Sequence, residues 1–264
     1  MDAALVIDKP GGMTSHDVVD RVRRILKERS VGHLGTLDPM ATGVLPLLVG
    51  RYTRLAQFFE KADKTYEGEI WLGFSTDTYD ATGEPSGEPR TVKVSAEEVT
   101  QAARRFVGKI EQMPPPYSAK KIAGVPAYKL ARKGQAPELK PVAVEVKRFE
   151  VEFSGDLVRF TAQVSAGTYM RTLAHELGQA LGCGAHLSAL KRTAAGQFDI
   201  GSAVKLADLD GMRAEPKPRP SETRFTAVRL ASEFEGQARC LGRASGPSQD
   251  GQRPFAAWSS LALQ

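Results

Sequence analysis

The sequence predicts an α+β domain, built on a mixed or mostly antiparallel β-sheet that is flanked by helices and long loops. Alternating apolar residues predict two neighbouring strands, at 142–146 and 158–164, joined around Ser154-Gly155-Asp156. Apolar residues at helical spacing predict several amphipathic helices between such strands. Because strands and helices do not alternate in a regular βαβ rhythm, a wholly parallel sheet is not expected.

The first two elements are a strand and a helix. Ala4 to Ile7 form an apolar run that ends in a turn sequence, Lys9-Pro10-Gly11-Gly12. Ser15 is a suitable N-cap for the helix that follows. The apolar residues of this helix recur at helical spacing, and they are Val18, Val19, Val22, Ile25 and Leu26.

The later elements follow from the same signals. A glycine- and proline-rich loop over 31–43 leads into a buried strand over 44–49, and a short helix over 53–59 and a strand over 65–72 come next. Ser95 and Glu98 form a capping box, which predicts a helix start. Thr168 is expected to cap a helix that continues to about Leu181.

Composition limits the class of protein. The 264 residues allow one large domain or two modest ones, and 41% hydrophobic and 25% charged residues are ordinary globular values. The start of the chain lacks a basic region before its apolar run, so we expect a cytoplasmic location and no secretory signal. Two cysteines cannot form a disulfide framework. The net charge of +5 only mildly favours a polyanionic partner.

The composition changes near residue 213. The sequence Glu215-Pro216-Lys217-Pro218-Arg219-Pro220 resembles a linker, and no pattern of alternating strands and turn glycines follows it. About 50 residues are marginal for an independent core. We therefore expect a catalytic domain over 1–213 and an atypical, partly disordered tail over 214–264.

One acidic residue lies in the glycine-rich loop. Asp38 precedes Pro39 and lies between Gly35 and Gly43, which is a suitable mount for a reactive carboxylate. An aspartate that only caps a turn is an equally good interpretation. For Asp77 and Asp80, which have threonine neighbours, the turn interpretation is the better one.

Metal and nucleotide cofactors find no support in the sequence. His175-Glu176 begins a zinc-protease motif, but the second histidine would fall at Gln179. Neither a Walker A motif nor G-x-G-x-x-G is present. We therefore expect no metal and no cofactor.

Three further residues are ambiguous when taken alone. Arg171 lies at the start of a predicted helix, where the helix dipole disfavours a cation, so either an anionic partner or simple solvation explains it. Tyr66 fits a half-buried strand position, and His33 fits an ordinary loop position. None of them identifies a function alone.

Taken together, the motifs resemble the TruB family of tRNA pseudouridine synthases. The segment Gly32 to Gly43 resembles the catalytic loop of the family. Five further segments match in the family's order, and they start at Asp8 (DKPGGMTS), Leu72 (LGFSTDTYD), Gln112 (QMPPPYSAKK), Gly167 (GTYMRTL) and Leu181 (LGCGAHL). The resemblance covers about residues 3–210 and implies a pseudouridine-synthase-like core.

The resemblance implies an isomerase that converts uridine to pseudouridine at position 55, in the T arm of tRNA, without a cofactor. Asp38, Tyr66 and Arg171 match the family's catalytic positions: an aspartate that acts as nucleophile or as acid/base, a tyrosine on the target base, and an arginine that pairs with the aspartate. The implied substrate-binding residues are Lys9, His33, Tyr169 and Leu190.

From the resemblance we also expect tRNA to be the partner. We expect the protein to be a monomer, with neither a membrane nor a nucleotide cofactor as a further partner. Basic residues are candidates for phosphate contacts or for support of the site, and they are Lys9, Arg21, Arg23, Arg24, Lys120, Lys121, Lys191 and Arg192. Many family members carry a C-terminal PUA domain, which is not recognisable here. Two alternatives remain: a synthase for another tRNA uridine, and a tRNA-binding or folding factor whose catalysis is dispensable.

Overall fold

The computed structural model describes residues 2–211 except 116, 119–120, 123–124 and 127–138, and it describes only the backbone at 121–122, 125–126 and 210–211. The boundary predicted near residue 213, the tail over 214–264 and Lys120 lie outside the described residues. Within them, no helix is long and apolar enough to cross a membrane.

The described residues contain fourteen strands and four α-helices. The strands are β1 Ala3–Lys9, β2 Val31–His33, β3 Thr42–Val49, β4 Lys64–Leu72, β5 Ser75–Thr76, β6 Pro85–Ser86, β7 Gly108–Gln112, β8 Lys121–Ile122, β9 Val125–Pro126, β10 Val142–Ser154, β11 Leu157–Val164, β12 Ala185–Ala195, β13 Phe198–Asp199 and β14 Val204–Lys205. The helices are α1 Ser15–Leu26, α2 Ala96–Arg104, α3 Met170–Ala180 and α4 Leu206–Gly211, with 3₁₀ helices at Gly50–Phe58 and Ile200–Ser202.

One large sheet organises the fold. In the described part of the chain, eight strands follow the order β14-β1-β3-β12-β4-β11-β10-β7, and β2 and β13 add to β3 and β12. The pairs β1–β14 and β3–β12 are parallel, and the other pairs are antiparallel. The predicted α+β class and the mixed, mostly antiparallel sheet are therefore confirmed.

The two faces of the central sheet differ in burial. In β4, Tyr66 and Ile70 are buried, whereas Glu67 and Trp71 are exposed, because successive side chains of a strand point to opposite faces. The buried side chains join one apolar core with residues of α2 and α3. Helix α3 packs against β12, and α2 packs against β10. We call the face that carries Tyr66 the inner face and the one that carries Glu67 the outer face.

Two predicted helix starts are off by one residue. Thr14, and not Ser15, caps α1, in a capping box with Asp17. Ser15 is instead buried, and its hydroxyl accepts a hydrogen bond from the Leu37 amide (2.8 Å) and donates one to the Leu37 carbonyl (3.1 Å). Tyr169, and not Thr168, occupies the N-cap position of α3. The capping box predicted at Ser95 is present.

Candidate active site

A cleft of about 400 Å³ lies on the inner face, at the start of α3. It brings together five of the seven predicted site residues, namely Asp38, Tyr66, Tyr169, Arg171 and Leu190. Residues 35–37 and 165–168, Glu60, Lys64, Met170 and Arg192 complete its lining. The cleft is therefore the candidate active site.

Asp38 and Arg171 form a bidentate ion pair. Arg171 Nε donates to Asp38 Oδ2 (2.8 Å), and Nη2 donates to Oδ1 (3.0 Å). The arginine side chain is only 5% exposed, whereas that of the aspartate is 33% exposed. The cation therefore holds the carboxylate from the protein side and leaves part of it open to the cleft.

Neighbouring groups fix the guanidinium of Arg171 in turn. Its Nη1 donates to the Thr78 carbonyl (3.1 Å), and its Nη2 also donates to the Tyr117 carbonyl (3.0 Å). The buried carboxylate of Asp80 lies 3.6 Å from Nε. Three separate segments of the chain thus orient the arginine.

Asp80 has two functions at once. As predicted, it stabilises a turn: its Oδ1 accepts hydrogen bonds from the Thr78 hydroxyl (2.8 Å) and from the Thr82 amide (3.0 Å). The second carboxylate oxygen faces Arg171. The sequence motif alone indicates only the turn, because it does not reveal which distant cation the free oxygen meets.

Lys9 is buried beneath the loop that carries Asp38. Its side chain is inaccessible to solvent, and Nζ donates to the carbonyls of Pro10 (2.9 Å), Pro39 (3.2 Å) and Ala41 (2.7 Å). Burial lowers the pKa of Lys9 to about 8. Of the two roles that the sequence left open for Lys9, these contacts favour support of the site.

Two further buried cations line the cleft. Arg192 is 1% exposed, and it donates from Nε to the Val44 carbonyl (2.7 Å) and from Nη2 to the Gly35 carbonyl (3.1 Å). Lys64 donates to the carbonyls of Glu60 (3.0 Å) and Ala62 (2.6 Å), and burial lowers its pKa. The sequence analysis did not single out Lys64. This residue begins β4, and the alternation of apolar and polar residues along a strand does not show that its first residue faces a cleft.

Tyr66 and Leu190 come from neighbouring antiparallel strands. Tyr66 pairs with Arg192 of β12, and Leu190 pairs with Gly68 of β4, two residues further along the same inner face. Both side chains are less than one-tenth exposed. They form an aromatic and an aliphatic wall of the cleft.

Tyr169 connects the cleft to β7. The side chain of buried Gln112 accepts a hydrogen bond from the Tyr169 amide (2.7 Å) and donates one to the Tyr169 carbonyl (3.1 Å). Burial raises the pKa of Tyr169. Its phenol is therefore held neutral at the start of α3.

His33 does not line the cleft. It lies on β2, paired with Leu47, two residues before Gly35, which does line it. Its Nδ1 is buried without a hydrogen-bond partner among the described residues, and burial lowers the pKa of the imidazole. His33 thus adjoins the site as a neutral side chain.

A larger groove of about 790 Å³ contains outer-face residues of the central strands. Its lining includes four glutamates, with Arg159 and Lys191 as its basic residues, and the glutamates are Glu67, Glu69, Glu150 and Glu152. This excess of negative charge disfavours a polyanion. Among the described residues, no group of three or more His, Cys, Asp or Glu side chains is placed to hold a metal ion.

Two family models match the chain. One, described as TruB family pseudouridylate synthase (N terminal domain), matches residues 23–170. The other, described as tRNA pseudouridylate synthase B C-terminal domain, matches residues 171–227. The two matches meet at Arg171, so the ion pair of the cleft joins the segments that they cover.

Curated relatives are similar over most of the chain. A protein named tRNA pseudouridine synthase B from Solibacter usitatus (strain Ellin6076) is 52% identical over 218 residues, which cover 82% of this chain and 74% of the relative. One of the same name from Opitutus terrae (strain DSM 11246 / JCM 15787 / PB90-1) is 46% identical over 237 residues, which cover 89% and 97%.

Solved structures share the fold. A chain in the crystal structure of a Cbf5-Nop10-Gar1 complex matches with a TM-score of 0.62 and 34% identity, over 79% of this chain and 54% of that chain. A chain in the structure of an H/ACA RNP bound to a substrate RNA containing 2′-deoxyuridine matches with a TM-score of 0.59 and 32% identity, over 79% and 52%. This chain thus spans about half of the length of those two.

Proposed function

Because the chain belongs to the TruB family of pseudouridylate synthases, we propose that it isomerises uridine 55 in the T arm of tRNA to pseudouridine. Membership of the family confirms the resemblance, the enzyme class of isomerases and the pseudouridine-synthase-like core that the sequence predicts. The target position, the tRNA substrate and the roles of individual residues belong to the proposal.

The bidentate pair of Asp38 and Arg171 carries this proposal. The reaction breaks the bond between N1 of uracil and C1′ of ribose, and it forms a bond between C5 and C1′. The C5 proton leaves and N1 gains one, so no redox partner or added group is needed. A carboxylate at the open end of a cleft suits attack on C1′ or proton transfer, and both roles require the ionised form. Arg171 supplies the opposite charge on the buried side.

Tyr66 and Leu190 are the proposed walls for the target base. The uridine must leave the stacked T loop to reach the cleft, at a cost of a few kcal/mol. An aromatic and an aliphatic side chain on one sheet face offer stacking that offsets this cost. In the proposal, Tyr66 also accepts the C5 proton, and Tyr169 and neutral His33 contact the RNA at the rim.

The basic residues were expected either to contact RNA phosphates or to support the site, and their contacts favour different roles for different residues. Lys9 and Arg192 are buried on backbone carbonyls, which supports a positioning role. Arg23 is bound to Asp20 and to the Val31 carbonyl. Exposed Arg24 is the better phosphate contact.

We also propose a monomeric cytoplasmic protein with its catalytic domain over 1–213 and a tail without a PUA domain over 214–264.

A modification assay on defined RNA tests the target position. Unmodified tRNA transcript and a matched transcript with cytidine at position 55 are incubated with the full chain, and pseudouridine is mapped by carbodiimide labelling and primer extension. The proposal predicts one stop at position 55, absent from the cytidine transcript. A stop at another uridine supports the alternative synthase. Tight binding without any stop supports the tRNA-binding factor.

A further inference from the structure

We propose that Arg192 is a positioning residue that holds the loop carrying Asp38 in its reactive conformation, and this inference rests on the proposed function. Asp38 lies in the loop between β2 and β3, with Gly35 before it in that loop and Val44 after it in β3. The guanidinium of Arg192 binds the carbonyls of Gly35 and Val44. We call the segment 35–44, which includes the first three residues of β3, the Asp38 loop.

The side chain of Arg192 acts as a bridge between the two ends. Nε reaches Val44 at 2.7 Å and Nη2 reaches Gly35 at 3.1 Å. A planar guanidinium fixes the directions of its N–H groups, so two carbonyls that it binds together have a fixed separation. The bridge therefore restrains how far the Asp38 loop can open.

The backbone of Arg192 restrains the same loop. Arg192 pairs with Gly43 in the parallel β3–β12 contact, and a Cβ at Gly43 would overlap the Arg192 carbonyl oxygen. On its other side, Arg192 pairs with Tyr66 of β4. One residue thus connects the loop of the carboxylate with the strand of the aromatic wall.

Burial separates this role from a phosphate contact. Arg192 is 1% exposed, and within the described residues its guanidinium donates to backbone carbonyls and to no carboxylate. Burying an unpaired cation is costly unless its hydrogen bonds are made. A phosphate group would have to displace the loop to reach this cation. The geometry therefore favours a structural anchor for Asp38 over an RNA contact.

The test compares Arg192→Lys and Arg192→Met with wild type and with Arg159→Lys. Arg159 is a matched control because it lies on β11 of the same sheet and its side chain pairs with Glu69 on the outer face. Lysine keeps the charge but loses the planar fork. Three quantities are measured on the full chain: the single-turnover rate at saturating tRNA, the Kd for tRNA, and amide hydrogen exchange of the peptide over 34–44.

The expected single-turnover rate falls about tenfold in Arg192→Lys and about a hundredfold in Arg192→Met, because small displacements of a reacting group have effects of this size. The Kd for tRNA stays within about threefold, since no RNA contact is lost. Amides of the Asp38 loop exchange faster in both variants without RNA. Arg159→Lys matches wild type in all three measurements.

Other results would overturn the inference. An unchanged rate and unchanged loop exchange in Arg192→Lys would show that the bridge does not position Asp38. A weaker Kd with an unchanged rate at saturation would identify Arg192 as an RNA contact. Failure of Arg192→Lys to fold would assign the residue to sheet stability alone. If wild type forms no pseudouridine, the proposed function fails, and loop exchange still reports separately on the bridge.

Discussion

Arg171 and Asp38 lie 133 positions apart in the sequence, yet two hydrogen bonds of 2.8 and 3.0 Å join their side chains. Helix α3 carries the arginine, and the loop between β2 and β3 carries the aspartate. Because Thr78 and Tyr117 also bind the guanidinium, the direction of the carboxylate depends on how three segments dock around the start of α3.

The first prediction concerns loss of this cation. Arg171→Met leaves the buried carboxylate of Asp80 without its cation, so we expect the free energy of unfolding to fall by about 3 kcal/mol. Arg159→Met, which breaks an exposed pair with Glu69, should cost less than about 1 kcal/mol. Urea unfolding of the two variants measures both values. Equal losses would argue against a buried network around Arg171.

The second prediction concerns pH. Protonated Lys9 donates to three loop carbonyls, whereas the neutral amine donates at most two hydrogen bonds. With a pKa of about 8, the single-turnover rate should fall several-fold as pH rises through that value. The profile of Lys9→Met should lack this step, although its rate is lower throughout. An identical step in both proteins would assign it to another group.

The contribution of Lys9 to the free energy of unfolding should increase as pH rises, whereas the single-turnover rate falls. The pKa of Lys9 is about 8 in the folded protein and near its ordinary value of 10.5 in the unfolded chain. Between these values the unfolded chain binds more protons, so the contribution of Lys9 to the free energy of unfolding rises with pH. Urea unfolding of wild type and Lys9→Met across this range measures the difference.

The third prediction concerns the close approach of the Asp38 loop to β12. Gly43 has a φ of +94° and its Cα faces the Arg192 carbonyl, so Gly43→Ala should destabilise the fold by about 3 kcal/mol or more. Gly155 has a φ of +64° but open space around it, so Gly155→Ala should cost only about 1 kcal/mol. Similar thermal unfolding of both variants would contradict the packing described for β3 and β12.

The fourth prediction concerns RNA binding. Arg24 and Arg29 are exposed near the end of α1. Replacing both with glutamine should weaken tRNA binding and reduce the slope of log K against log salt by about 1 to 2, because each lost phosphate contact lowers it by about 0.7–0.9. Lys191→Gln, on the outer face beside the glutamates, should leave the slope unchanged. An unchanged slope in the double variant would exclude this surface from the interface.

Local signals in the sequence predict part of the fold. The hairpin of β10 and β11 follows from strict alternation, and the start of α2 follows from its capping box. Strand β12 was not predicted as a strand. Its alternation is broken by register shifts at Leu187/Ala189 and Arg192/Ala194, and it buries a charged residue, Arg192. The contacts with β3 and β4 that stabilise it are distant in sequence.

The candidate site, like the fold, has features that the sequence predicts and features that depend on contacts between distant residues. The pairing of Asp38 with Arg171 was expected only from the family resemblance, because spacing in a sequence does not show which distant charges meet. The burial of Lys9, Lys64 and Arg192 was not foreseen, since lysine and arginine are ordinarily exposed. These side chains donate hydrogen bonds to backbone carbonyls, and no local sequence motif predicts such contacts.

The most direct test of the account replaces one atom of Asp38. Wild type and Asp38→Asn are compared for pseudouridine formation on unmodified tRNA transcript and for tRNA binding under the same conditions. The account predicts that Asp38→Asn loses at least about a thousandfold in single-turnover rate and keeps a similar Kd, because the amide is neither ionised nor nucleophilic. Turnover at position 55 by Asp38→Asn at a rate near that of wild type would contradict it.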